Sequence, residues 1–142
     1  MLPLVVDSSV AIKWFVVEPY SADARRILED YQAGLVSFSA PDLIYAEVGN
    51  IVWKKQTMQG LDPADAREIL ESLRSITFRI TPASDLLEEA YRIAVKYQRT
   101  VYDSLYLALS LREQSQFVTA DERLVNAVSG HMPNVVWAPG WR

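Results

Sequence analysis

The sequence contains no cysteine. Disulfides, zinc–thiolate sites and cysteine nucleophiles are thereby excluded together, and a reducing compartment is compatible with this composition. Histidine occurs once, in Gly130-His131-Met132-Pro133, which reads as a loop. A ribonuclease of the acid–base type needs a histidine or an equivalent pair, and this chain lacks one. There is no Gly-x-Ser-x-Gly elbow and no phosphate-binding glycine loop. No stretch approaches the ~20 apolar residues of a membrane span. The opening Met1-Leu2-Pro3-Leu4-Val5-Val6-Asp7 is too short in its apolar run, and too poor in basic residues, for a signal sequence. The expected location is the cytoplasm, with no membrane partner. Positive charge is scarce as well: the formal net charge is −4. A protein that holds nucleic acid by counterion release is usually basic, so any such contact must be local, through a few Lys and Arg and through metal ions.

What is present is ordinary globular material. The 142 residues, 50% hydrophobic and 23% charged, suit one domain spanning 1–142. Short β-branched runs alternate with amphipathic stretches, which predicts an α/β fold with a mostly parallel central sheet flanked by helices. Strands are expected at Leu4–Val6, Val36–Ser39, Thr77–Ile80, Gln116–Thr119 and Asn134–Trp137. A serine-capped helix is expected from Ser8 to Phe15, and another from Ser21, as cap, to Ala33, ended by Gly34. Pro41 suits the first turn of a long helix to about Met58, closed by Gly60. Further helices are expected from Asp62-Pro63 to Ser75, from a Ser84 cap to Tyr97, from Asp103 to Gln114 and from Asp121 to Ser129.

Four carboxylates stand out. Asp7 follows the first strand and precedes a helix; the carboxyl ends of strands form the ligand crevice of open α/β sheets. Aspartate is also a common helix cap. Glu47 lies at i+3 from Ile44, with Val48 and Ile51 at i+4 and i+7, so it sits on the apolar stripe of its helix. Desolvating an unpaired carboxylate is costly; a basic partner or a metal would explain it, or the side chain snorkels to solvent from the stripe's edge. Asp103 heads a face carrying Tyr106, Leu107 and Leu111, at a helix start where the dipole also favours an anion. Asp121 lies two residues past a strand. Closely packed carboxylates raise one another's pKa unless cations neutralise them. A hydrated magnesium ion, with oxygen ligands and one or two direct carboxylates, is the economical solution. It points to phosphodiester hydrolysis.

Taken in order, Val5-Val6-Asp7-Ser8-Ser9, Glu47 in a long helix, Tyr102-Asp103-Ser104-Leu105-Tyr106-Leu107-Ala108-Leu109 and Val118-Thr119-Ala120-Asp121-Glu122-Arg123-Leu124 resemble the PIN-domain nucleases. Within them the likeness is to VapC-type toxins of toxin–antitoxin pairs, and Lys13-Trp14-Phe15 with Glu18-Pro19 resembles their early segment. The resemblance implies a PIN-like fold and a magnesium- or manganese-dependent endoribonuclease. It also implies a homodimer, and a small antitoxin partner that blocks the groove. It places Asp7, Glu47, Asp103 and Asp121 as catalytic and metal-holding residues, and Thr119 as a site-lining hydroxyl, or else an ordinary strand-end threonine.

Asn50, at i+3 from Glu47, and Ser8 are further candidates to support the carboxylates. Lys13, Lys54 and Lys55 could touch phosphate, or be solvated surface charges. Trp14, Phe15 and Trp53 either pack in the core or line an apolar groove for a partner. Two rival functions differ in class. One is a catalytically silent PIN-like module that binds RNA or protein; the presence of all four acids argues against it. The other is a small-phosphate phosphatase, whose Asp-x-Asp pair is missing after the first strand.

Overall fold

A computed structural model describes residues 1–141. The chain runs β1 (Leu2–Val6), α1 (Ser8–Ala11), a 3-10 turn (Ile12–Trp14), α2 (Ser21–Gln32), β2 (Val36–Pro41), α3 (Leu43–Met58), α4 (Pro63–Ser75), β3 (Phe78–Thr81), α5 (Ala83–Tyr97), α6 (Val101–Glu113), β4 (Gln116–Thr119), α7 (Glu122–Val128), β5 (Val135–Trp137) and a closing 3-10 turn (Ala138–Gly140). The strands form one sheet in the order β3-β2-β1-β4-β5, and every pairing is parallel. Parallel neighbours cannot be joined by a hairpin, so a helix fills each crossover. β1 lies in the centre, with Leu4 opposite Phe38 on one side and Gln116 on the other. Covered on both faces, it needs an unbroken apolar run, and Leu4-Val5-Val6 is fully buried.

From β1 the chain winds outward to β2 and β3, then returns across β1 to β4 and β5. Right-handed crossovers put the helices of the two halves on opposite faces. The winding reverses between β1 and β4, and there the strand ends diverge into a crevice. Asp7 follows β1 at that point, and Thr119 ends β4 beside it.

Helix α6 is buried from Ser104 to Ser110 without a break. It packs on α5, β1, β2 and β4, so it is apolar all round and carries no clear stripe. Trp14 belongs to the core. Its ring stacks on Phe38 at 5.0 Å, Phe38 stacks on Tyr31 at 4.7 Å, and its indole N–H donates to Ala24 O at 3.0 Å. Of the other aromatics left open by the sequence, Phe15 is half-buried and Trp53 is 53% exposed.

The starts of several helices differ from expectation. The first helix is capped by Asp7, not by a serine, and it tightens to a 3-10 turn at Ile12. Ser21 is the first residue of α2 rather than its cap; its hydroxyl turns back to donate to Val16 O. Pro41 ends β2 instead of opening α3, because its carbonyl side still pairs with β3 at Thr81. Ser84 lies inside α5; the amide of Ala83 is satisfied by Asp42 Oδ1 at 3.0 Å. At Pro41 and Ser84 a contact from elsewhere in the chain overrules the local signal, whereas at the first helix the adjacent aspartate outcompetes the serines. Gly34 and Gly60, at φ 77° and 74°, do terminate α2 and α3, in the left-handed conformation that glycine adopts without steric cost.

Candidate active site

Asp7 is held from both sides. Its Oδ1 accepts from Ser9 Oγ at 2.5 Å and from Val10 N at 3.2 Å; its Oδ2 accepts from Thr119 Oγ1 at 2.6 Å. The same hydroxyls tie in the next strand, since Ser9 Oγ accepts from Ala120 N at 2.9 Å and Thr119 Oγ1 from Asp121 N at 3.1 Å. Asp7 is therefore both a helix cap and the occupant of the crevice. Burial pushes its carboxyl up from 3.8 to about 6, the three hydrogen bonds pull it back in part, and the charge of Glu47 adds to the rise.

Glu47 reaches the same place from α3. Its half-buried carboxylate accepts a hydrogen bond from Tyr106 Oη at 2.6 Å. Burial raises its pKa; Tyr106 counters this, Asp103 raises it further, and the Ser8 hydroxyl lowers it. The sequence suggested a basic partner or a metal for this residue. The direct partner is instead a neutral phenol, buried against Phe117 in a stack at 5.8 Å. Tyr106 is itself pushed well above the ordinary range, first by burial and then by Glu47, Asp7 and Asp103. At any working pH it stays a donor.

Asp103 is the third residue of α6, and its amide donates to the Thr100 cap at 3.0 Å. Its pKa is raised by burial and then by Asp121, with Arg99 and Thr100 acting against the rise. Asp121 caps α7, accepting at Oδ1 from Arg123 N at 3.0 Å and Leu124 N at 3.3 Å. The carboxylates thus form an electrostatic chain, Asp7 to Glu47 to Asp103 to Asp121, drawn from four separate segments.

The supporting residues divide. Thr119 joins the site through its bond to Asp7, and the Ser8 hydroxyl acts on Glu47 only as a small lowering influence on its pKa. Asn50 is exposed on α3, with no side-chain hydrogen bond to the carboxylates among the described residues. Lys13 and Lys55 are committed elsewhere: both bind Glu18, at 2.9 and 3.1 Å. Burial alone would raise the pKa of Glu18, but these two ammonium groups outweigh it and hold the carboxyl below its ordinary value. Lys54 is exposed, and His131 is an exposed loop residue near the ring of Tyr97. Ser9, Tyr106 and Arg99 were missed from sequence. Tyr106 did carry a signal: it stands at i+3 from Asp103 and is the one polar-tipped ring on that buried face.

Among the described residues no three His, Asp or Glu side chains gather into a ready-made metal cage. The arrangement is an open row of hard oxygen donors, and among the described residues Arg99 tempers the charge of Asp103. Such a row suits magnesium or manganese, which keep several waters and take one or two carboxylates directly. It does not suit zinc, which prefers nitrogen and sulfur in closed tetrahedra.

An all-parallel sheet with acidic side chains at its reversal point defines an α/β domain with its ligand crevice at the strand ends. The chain belongs to the PIN-domain family, which matches residues 4–129. It is 30% identical over 125 residues to Ribonuclease VapC3 of Pyrobaculum aerophilum, covering 87% of this chain and 92% of that protein. Solved structures share the fold. PAE2754 from Pyrobaculum aerophilum superposes with a TM-score of 0.70 at 22% identity, over 97% of this chain and 92% of its own. A toxin–antitoxin complex from Klebsiella pneumoniae gives 0.64 at 19% identity, over 95% and 97%. The VapC-type likeness read from the ordered motifs is therefore borne out.

Proposed function

We propose that this protein is a magnesium- or manganese-dependent endoribonuclease, the toxin of a toxin–antitoxin pair. The observation that carries the reading is the coupling of four carboxylates at the sheet's reversal point, with Asp7 raised to about 6 by burial and by its acidic neighbour. Such a site is electrostatically incomplete without a cation. The kinship with Ribonuclease VapC3 supplies the substrate class, and the likeness to a toxin–antitoxin complex supports an antitoxin partner.

Of Asp7, Glu47, Asp103 and Asp121, one or two would bind the ion directly and the others would hold its waters. When bound, such an ion supplies an activated water and a counter-charge for the phosphoryl oxygens. The protein's own contribution is orientation. Ser9 and Thr119 fix both oxygens of Asp7, and Tyr106 fixes one oxygen of Glu47 while adding no positive charge. The negative field that attracts the ion is thereby left intact. Among the described residues no helix is long and apolar enough to cross a membrane, and we assign the protein to the cytoplasm, where its RNA would be. It would act as a homodimer.

The antitoxin would lie near the carboxylates and carry a basic side chain into them. Trp14, being buried, is no anchor for it. Phe15 lines an open cleft of about 400 Å³ with Leu61 and Ile69, which would accept an apolar segment. The deciding experiment is incubation of the purified protein with structured RNA, in magnesium and in excess chelator. Cleavage confined to magnesium supports the reading; robust cleavage in chelator, or binding without cleavage in magnesium, overturns it.

A further inference from the structure

The segment joining Trp14 to α2 is pinned at several points. Ser21 Oγ donates to Val16 O at 2.8 Å and accepts from Glu18 N at 3.0 Å; Arg25 donates to Val16 O at 3.2 Å. Glu18 is clamped by Lys13 and Lys55. Inside this frame Tyr20 adopts a left-handed backbone, φ 71° and ψ 9°. A bulky residue rarely occupies that region. Where it does, the surroundings over-determine it, and such residues concentrate at functional sites.

The ring that this conformation presents is 42% exposed, although it meets Trp137 edge-on at 5.1 Å and 70°. Trp137 ends β5 and pairs in register with Thr119, whose hydroxyl donates to Asp7. Registered partners on adjacent strands face the same side of a sheet. Trp137 therefore faces the same side of the sheet as Thr119, one strand spacing of about 4.8 Å from it, and Tyr20 meets Trp137 at the carboxyl ends of the strands, the end at which Asp7 follows β1.

The geometry points to Tyr20, braced by Trp137, as a stacking platform for an unpaired base of the RNA that flanks the scissile phosphate. This rests on the ribonuclease reading above. Charge alone is a poor source of affinity in this protein, because the net charge is negative and Lys13 and Lys55 are neutralising Glu18. Stacking on an aromatic ring needs no positive charge and tolerates any base. It is also the usual way in which proteins hold splayed, single-stranded RNA. The pinned loop and the Trp137 edge hold the ring in one orientation, so little freedom is lost when a base settles on it.

The test compares the parent, Tyr20→Phe, Tyr20→Ala and Tyr20→Gly by anisotropy of a labelled single-stranded RNA in chelator, and by kcat and KM in magnesium. Tyr20→Gly removes the ring while relieving the left-handed backbone, so it folds even if Tyr20→Ala does not. The phenylalanine variant should bind as the parent does. The glycine and alanine variants should bind about ten-fold more weakly, with the loss in KM and not in kcat. An abasic nucleotide beside the cleavage position should weaken the parent equally and leave the glycine variant unaffected. Parent-like binding by Tyr20→Gly, or equal sensitivity of both proteins to the abasic site, overturns the platform. Failure of the parent to bind or cut any RNA overturns the ribonuclease reading instead.

Discussion

Asp7 caps a helix with one oxygen and holds the crevice with the other. It follows β1 and its Oδ1 closes the first turn of α1, while Oδ2 accepts from Thr119. Replacement by asparagine keeps the shape and the capping oxygen but removes the charge. Asp7→Asn should therefore lower RNA cleavage by at least ~100-fold, a loss in the range of removing a principal charge-stabilising group. It should also raise the melting temperature in chelator, because the buried anion is gone. Full activity on a substrate the parent cuts would sink the assignment. Asp103→Asn should behave alike.

Tyr106 makes a finer test at the same scale. Tyr106→Phe preserves the stack on Phe117 and removes only the bond to Glu47. Loss of a hydrogen bond to a charged group costs about 1.5–3 kcal/mol, part of which appears as weaker ion binding. Calorimetric titration with manganese should show roughly ten-fold weaker binding, with the fold unchanged by circular dichroism. Unaltered manganese affinity would show that the phenol does not position Glu47.

At the scale of elements, the packing on β2 is the most sensitive point. Trp14 stacks on Phe38, which also carries Tyr31 and Phe78. Trp14→Ala opens a cavity on that face and should cost about 3–5 kcal/mol, measurable by urea unfolding. A loss below ~1 kcal/mol would mean that the site collapses or that Trp14 is less enclosed than described. Gly34→Ala probes a turn instead. Its Cβ would meet nothing within 4 Å, so any cost comes from the left-handed backbone alone, about 1–2 kcal/mol, with RNA cleavage unaltered.

For the whole molecule, the raised carboxyls tie stability to pH, and the proposed ion would act on the same groups. In the folded chain Asp7 holds its proton up to about 6, against an ordinary 3.8. Between those values the folded state binds more protons than the unfolded, so metal-free stability falls as pH rises through that window. The rise corresponds to about 3 kcal/mol, lost in full above pH 6. Thermal unfolding in chelator should give a higher melting temperature at pH 5 than at pH 7.5, and Asp7→Asn should shrink the difference. Magnesium should stabilise at pH 7.5 and have less effect at pH 4, where Asp7 carries its proton. A pH-independent magnesium effect would place the ion elsewhere. The same competition bears on the antitoxin: inhibition by a partner segment with one essential Arg or Lys should weaken as magnesium rises. Inhibition unchanged after removal of every basic residue from that segment would place its action outside the acidic crevice.

The sequence by itself determined the order of elements and singled out the four carboxylates. Apolar periodicity is local, and β1 must be an unbroken run wherever a central strand is buried on both faces. Each aspartate of the set follows a strand or begins a helix within a few residues, so it was legible from neighbours alone. The starts of α2 and α5 were not, because the Ser21 hydroxyl turns back to Val16 O and the Ala83 amide is satisfied by Asp42 from another part of the chain. Only the tertiary structure decided what lies beside Glu47. Asp103 and Tyr106 share a helix, but which carboxylate the phenol meets depends on how α6 wedges against the sheet and on α3 arriving from the opposite half of the winding. Tertiary structure also removed Lys13 and Lys55 from phosphate binding, since Glu18 reaches them only when the loop after Trp14 folds onto α3. Position along a chain records propensity and pattern, whereas pairing between charges or hydroxyls is a matter of distance, and distance is created by packing.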